Sequence, residues 1–134
     1  MPGETKKLSH SRPLLLASTA IGTMCVGFGV NAILRPAHAL SFFELEYPSE
    51  GVQRGVVDNL MVVYGARDIF MGLAAYIAAY WGSRRAVGGI MLATSLVAFV
   101  DGAICWRNGH GQWNHWGYAP IVLGVGGLLS GGLD

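Results

Sequence analysis

The sequence predicts an all-α transmembrane protein: a four-helix bundle with both termini on the cytoplasmic side. Two observations carry this class. Only 13% of the 134 residues are charged and 52% are hydrophobic, against roughly 25% charged in an average soluble domain. A soluble monomer this small has a large surface for its volume and needs charge to cover it. The apolar residues also gather into four long runs without the strict alternation of a membrane β-strand. About 20 such residues make a helix long enough to cross a ~30 Å hydrocarbon core. The same composition excludes intrinsic disorder, which takes few apolar residues and many charges. A formal net charge of +1 leaves no basic excess for nucleic acid, and two cysteines make no disulfide scaffold.

The first run, Pro13 to Leu34, holds no charge. Lys6, Lys7 and Arg12 before it and Ala37-His38-Ala39 after it imitate a signal peptide, but the run exceeds the 7–15 apolar residues of such segments, so the helix is expected to be retained. Residues 35–55 form a long connection with Pro36, Pro48, three glutamates and Phe42-Phe43. Its aromatics predict packing, with a short amphipathic helix at the membrane surface. The second run, Val56 to Trp81, carries Asp58, Arg67 and Asp68. A tight hairpin over Gly82–Arg85 leads to the third, Ala86 to Cys105, whose one charge is Asp101. The fourth, Trp116 to Leu133, has none. The chain thus reads as a single membrane domain over residues 1–134. Five Lys and Arg fall in the tail and second loop and three in the first and third loops, which puts the termini inside and loop 35–55 outside or in the lumen.

Glycines are dense in these runs. Gly22, Gly27 and Gly29 lie in the first, Gly72 in the second and Gly88 and Gly89 in the third; Gly126 and Ser130 are four apart in the fourth. Small residues let helix backbones approach closely in lipid. That reads first as ordinary bundle packing, and Gly127 with Gly131 as a candidate homodimer seam.

An ionisable residue inside a membrane helix costs ~2.5–3.5 kcal/mol on the insertion scale and is a functional hypothesis by default. Arg67, Asp68 and Asp101 qualify. Tyr64, Arg67, Asp68 and Met71 recur at i, i+3, i+4, i+7 and share a broad face. Arg67 and Asp68 are sequence neighbours pointing ~100° apart, poorly placed to neutralise one another alone, so a partner from another helix is expected. Asp101 is the natural candidate. At ~1.5 Å per residue, Arg67 lies roughly 16 Å from Val56 and Asp101 roughly 22 Å from Ala86, a difference a long guanidinium side chain can span. Asn31 and Arg35 close the first helix, Asp58 opens the second and His115 opens the fourth on the same side. Polar groups from all four helices are therefore expected to converge near the outer leaflet.

Two readings follow. One is a buried ion-pair network that fixes helix register. The other is a pocket with Asp101, His115 and Asp68 as acid, base and orienting groups and an Arg as electrostatic clamp. His38, His110, His115, Asp101 and Cys105 show no metal-ligand spacing, so no metal is expected. Ser18, Ser95 and Ser130 stand on no nucleophile elbow. No phosphate loop or dinucleotide fingerprint is present, and no cofactor is expected. Cys25 and Cys105 read as small apolar residues.

Gly65-Ala66-Arg67-Asp68 followed by Gly72, with Arg35-Pro36, Asp101 and His115, resembles a small integral membrane family of unknown function. That family is common in fungi, occurs in bacteria and carries a G-x-R-D-x-x-x-G signature. The resemblance runs from about Ile21 to Val125. It implies a four-helix membrane bundle and, because members often occur near secondary-metabolite genes, the tailoring of polyketides or terpenoids. It assigns no catalytic residue.

The leading expectation is a membrane-embedded enzyme doing acid–base chemistry (cyclisation, isomerisation or dehydration) on an apolar metabolite, with Asp101, His115 and Asp68 catalytic. Arg67, Arg35, Tyr64, Asn31 and Asp58 would bind or balance charge. The alternative is a non-catalytic scaffold or assembly subunit with structural charges. The lipid bilayer, an apolar small molecule and a second copy of the chain are the expected partners. An endomembrane such as the endoplasmic reticulum is expected in a eukaryotic cell.

Overall fold

The computed structural model describes residues 7–134; Lys6, counted above in the basic tail, lies outside them. After a 3-10 turn at Leu8–His10 the helices are α1 (Arg12–Leu34), α2 (Pro36–Ser41), α3 (Gly51–Trp81), α4 (Arg84–Arg107), α5 (Trp113–Trp116) and α6 (Ala119–Leu129). Among the described residues there is no strand. Three helices, α1, α3 and α4, are long and apolar enough to cross a membrane.

Local chemistry sets the boundaries. Pro13 sits in the first turn of α1, where its missing N–H is not needed. Pro36 starts α2 and holds Arg35 out of the helical region (φ −138°, ψ 64°), as the residue before proline requires. Ser83 caps α4, its hydroxyl accepting from the Ala86 N–H at 3.1 Å. Within the predicted loop 35–55 the chain makes α2 and begins α3 at Gly51, five residues before the apolar run.

The fourth run departs most from expectation. It is not one helix over 116–133. Pro120 stands in the first turn of α6, where it offers no N–H to the carbonyl four residues back. The chain turns at Gly117-Tyr118, which separates α5 from α6. At the other end it leaves the helix after Leu129. Eleven residues of α6 reach ~16 Å, about half a hydrocarbon core.

In lipid, close packing rather than hydrophobic exclusion holds helices together, and glycine sets that packing here. Gly22 of α1 faces Gly72 of α3, and Gly29 faces Gly65; a Cβ on Gly65 would sit 2.5 Å from the Gly29 carbonyl oxygen. Gly88 of α4 faces α6, where its Cβ would meet Ser130 Oγ at 2.5 Å and the Gly126 oxygen at 2.8 Å. The small pair Gly126/Ser130 is thus consumed inside the bundle. Gly127 faces open space, and Gly131 lies past the helix end with φ +86°. The two do not form one helical stripe, which removes the basis of the Gly127/Gly131 dimer seam.

Residues 9–11, Asp134 and the α3–α4 turn meet at one end of the bundle. The Ser9 N–H donates to Asp134 Oδ1 at 2.9 Å, and its hydroxyl bonds Oδ2. Arg84 Nη1 donates to the Ser11 carbonyl at 2.9 Å. At the opposite end, residues 42–44 close over α4 and α5. Asn114 Nδ2 donates to the Phe42 carbonyl at 3.0 Å, and His110 Nδ1 lies 3.1 Å from Glu44 Oε2. One apolar core (Ala75, Val87, Met91, Val122, Val125, Leu129) lies toward the first end, and a smaller one (Ala32, Ala39, Leu40, Met61) toward the second.

Candidate functional site

Between those cores lies a cavity of about 230 Å³ bounded by four helices. α1 contributes Ile21, Met24, Cys25 and Phe28; α3 Tyr64, Asp68 and Met71; α4 Thr94, Val97, Ala98 and Asp101; Tyr118, Ile121 and Val122 come from the start of α6 and the turn before it. The helical spacing explains each set, since residues three and four apart share a face.

The polar floor is Asp68 and Asp101, whose side chains are only 6% and 10% exposed. Arg67 joins them from the side. Its Nη1 and Nη2 donate to the two oxygens of Asp101 at 3.1 and 2.9 Å. Its Nε and Nη2 donate to Asp68 Oδ1 at 3.1 and 3.0 Å, which leaves Asp68 Oδ2 free of the guanidinium. The guanidinium carbon sits 4.3 Å from the centroid of the Tyr64 ring. The Arg67–Asp101 pairing is the expected one. The Arg67–Asp68 contact completes the expected network: Cα directions ~100° apart leave the two unable to pair alone but do not keep a side chain as long and rotatable as arginine's from reaching both carboxylates.

His115 does not share this cavity. It is 3% exposed and lines an adjoining one of about 260 Å³ with Phe28, Phe42, Tyr64, Asn114 and Tyr118. Its ring lies 4.6 Å from that of Phe43, and its Nδ1 is 3.4 Å from the Tyr118 hydroxyl. His115 stands in the short α5, outside the long apolar helices. Phe28, Tyr64 and Tyr118 line both spaces and form the partition between them.

Three of the polar residues expected to converge lie elsewhere. Asp58 accepts from the Tyr47 hydroxyl at 2.5 Å, and Arg54 Nε donates to the same hydroxyl at 3.2 Å; this set fastens the 42–50 segment to α3. Asn31 Oδ1 meets His38 Nδ1 at 3.0 Å. Arg35 is exposed and makes no ion pair among the described residues. The α1 wall and Tyr118 were missed, because apolar and phenolic residues carry no charge to mark them. Their signal is spacing alone: Ile21, Cys25, Phe28 and Tyr118, Ile121, Val122.

Gly102, beside Asp101, is the other positional requirement. The Trp116 indole fills the place a Cβ would take, and its Nε1 donates to the Phe99 carbonyl at 3.0 Å. That contact seats α5 on α4 next to the carboxylates.

The family model for a domain of unknown function, DUF4267, matches residues 22–129, most of the chain. The chain belongs to the DUF4267 family. The match takes in every residue of both cavities except Ile21. No curated protein and no solved structure matches the chain.

Proposed function

We propose that this DUF4267 protein is a membrane-embedded tailoring enzyme that moves protons on an apolar metabolite, by isomerisation, cyclisation or dehydration. The observation that carries the reading is a cavity walled by hydrocarbon and floored by two carboxylates sharing one guanidinium. With one proton added the three charged groups are neutral as a set, and that proton is the one the site can give. Donation from a carboxylic acid to a carbon–carbon double bond forms a C–H bond, breaks the π bond and leaves a positive charge on the neighbouring carbon. Return of a proton from an adjacent carbon to the carboxylate closes an isomerisation; attack of a second double bond on the charged carbon closes a ring, moves the charge to the far carbon of that bond, and the carboxylate then takes a proton from the carbon beside it. Asp68, with Oδ2 off the guanidinium, suits the donor role. Asp101, held through both oxygens, suits the role of fixed counter-charge, and Arg67 that of clamp. Buried His115 in the adjoining cavity suits a polar group at the substrate's far end.

In this reading the bundle spans an endomembrane with both termini cytoplasmic, and α5–α6 supply its short fourth member. The substrate is of polyketide or terpenoid kind, as the family resemblance suggests. A second reading rests on the full engagement of Arg67 by two carboxylates and the Tyr64 ring: a scaffold subunit whose charges set helix register. The deciding experiment replaces Asp68 and Asp101 singly by Asn in the native host and follows metabolites by mass spectrometry at matched protein levels. Loss of one product with build-up of its isomer or precursor supports the enzyme. Unchanged metabolites in both folded variants favour the scaffold.

A further inference from the structure

We propose that the inner cavity binds a lipophilic cation, a hydrocarbon-rich ligand with one positive charge, which reaches it from the bilayer between α1 and α6. The inference rests on the acid–base reading for its link to a reaction intermediate.

Charge counting comes first. Asp68 and Asp101 line the cavity; Arg67 does not. It bridges α3 to α4 behind them, with a third of its side chain exposed. α1 and α6 bring no charged side chain to the wall. One guanidinium balances one carboxylate, and the second leaves a negative charge facing an apolar space. Such a charge is costly to bury alone, so the site takes up a proton or another cation. An inorganic cation needs several oxygen ligands to replace its water, and this wall is hydrocarbon with few hydroxyls. An organic cation brings its own apolar cover. Phe28, Tyr64 and Tyr118 add rings of the kind that attract one. A protonated alkene carries the same charge, so a stable amine of similar shape mimics the intermediate of the proposed reaction.

The route of access follows from packing. Glycine contacts close α1 on α3 and α4 on α6, and the Arg67–Asp101 pair ties α3 to α4. The remaining seam is α1 against α6. Its two rim residues line the cavity and are also exposed, Met24 by 52% and Ile121 by 65%. An apolar rim on the outer surface of a membrane bundle faces lipid.

The test uses the full chain in phospholipid nanodiscs, with empty discs as the blank and radiolabelled N,N-dimethyldecylamine as the probe. Saturable binding is expected, one site per chain. The uncharged isostere 2-methyldodecane should compete at least about tenfold less well, a difference of about 1.4 kcal/mol. Asp68→Asn should remove that preference, and Ile121→Trp, at the exposed rim, should slow association. If Asp68→Asn does not fold, the wild-type protein decides alone: raising the pH until the amine is neutral should abolish the preference. Equal competition by the two compounds, or a preference that survives either neutralisation, overturns the cation site. An unchanged association rate in Ile121→Trp overturns access through this seam. Absence of amine preference with Asp101→Asn still blocking metabolite conversion fails this inference and leaves the enzyme standing; amine preference without any effect on metabolites does the reverse.

Discussion

Arg67 on α3 holds Asp101 on α4 through two parallel hydrogen bonds of 3.1 and 2.9 Å. The pairing is bidentate and charge-assisted, the strongest form such a contact takes. It closes the α3–α4 hairpin at the depth where the cavity begins, so one contact serves both helix register and the polar floor.

Arg67→Ala should therefore cost more than any single hydrogen bond. It leaves two carboxylates buried without a counter-charge, a loss on the order of 3 kcal/mol, reduced from the fully buried case because a third of the Arg67 side chain is exposed. Arg67→Lys keeps the charge and loses the fork, and should fall by about 1–2 kcal/mol. Unfolding in a mild detergent, followed by circular dichroism, measures both. Equal stability of Arg67→Ala and wild type would show that the carboxylates need no partner.

How much of this was readable from residues alone depends on what marks a residue. Charge in an apolar run marks itself, so Arg67, Asp68 and Asp101 stood out, and depth arithmetic paired Arg67 with Asp101. The cavity did not stand out. Its α1 wall is Ile21, Met24, Cys25 and Phe28, residues that look like any lipid-facing helix until α3 is set against them. Asp58 carried the same mark as Asp68 yet serves a loop, because Tyr47 reaches it from the 42–50 segment. The break at Gly117-Tyr118 was legible in Pro120.

Glycine packing gives a contrast within one helix. Gly29→Ala puts a methyl group against the Gly65 carbonyl and 2.8 Å from the Ile69 nitrogen. Backbone on both sides cannot rotate away, so the helices must separate, at a cost of about 1–3 kcal/mol. Gly27→Ala, two residues earlier, meets nothing within 4 Å and should stabilise by up to about 1 kcal/mol through helix propensity. Thermal unfolding of the two variants side by side tests the α1–α3 contact.

The tie between Ser9 and Asp134 should depend on pH. The two hydrogen bonds from Ser9 hold the Asp134 carboxyl below its ordinary value of 3.8. A depressed folded value means the tie favours the folded form above pH 3.8 and is lost as pH falls through the lower folded value. Amide exchange at Ser9, whose N–H donates to Asp134 Oδ1, should be slow at neutral pH and lose its protection only in strong acid. Asp134→Asn should remove that pH dependence. Protection in wild type that is lost already near neutrality would place the bond elsewhere.

Filling the cavity separates its role from that of the core. Ala98 is 4% exposed and lines the cavity; Ala75 is 1% exposed and belongs to the packed core, with its Cβ 3.2 Å from where a Cβ on Gly22 would stand. Ala98→Phe can extend its ring into the existing space of about 230 Å³ and should change stability by less than about 1.5 kcal/mol. Ala75→Phe has no such space. It should cost about 3 kcal/mol or fail to fold, since overpacking drives α1 from α3. If the cavity is the working site, Ala98→Phe abolishes amine binding and metabolite conversion in a protein that unfolds at nearly the wild-type temperature. A fully active Ala98→Phe would move the chemistry out of this cavity, whatever its effect on stability.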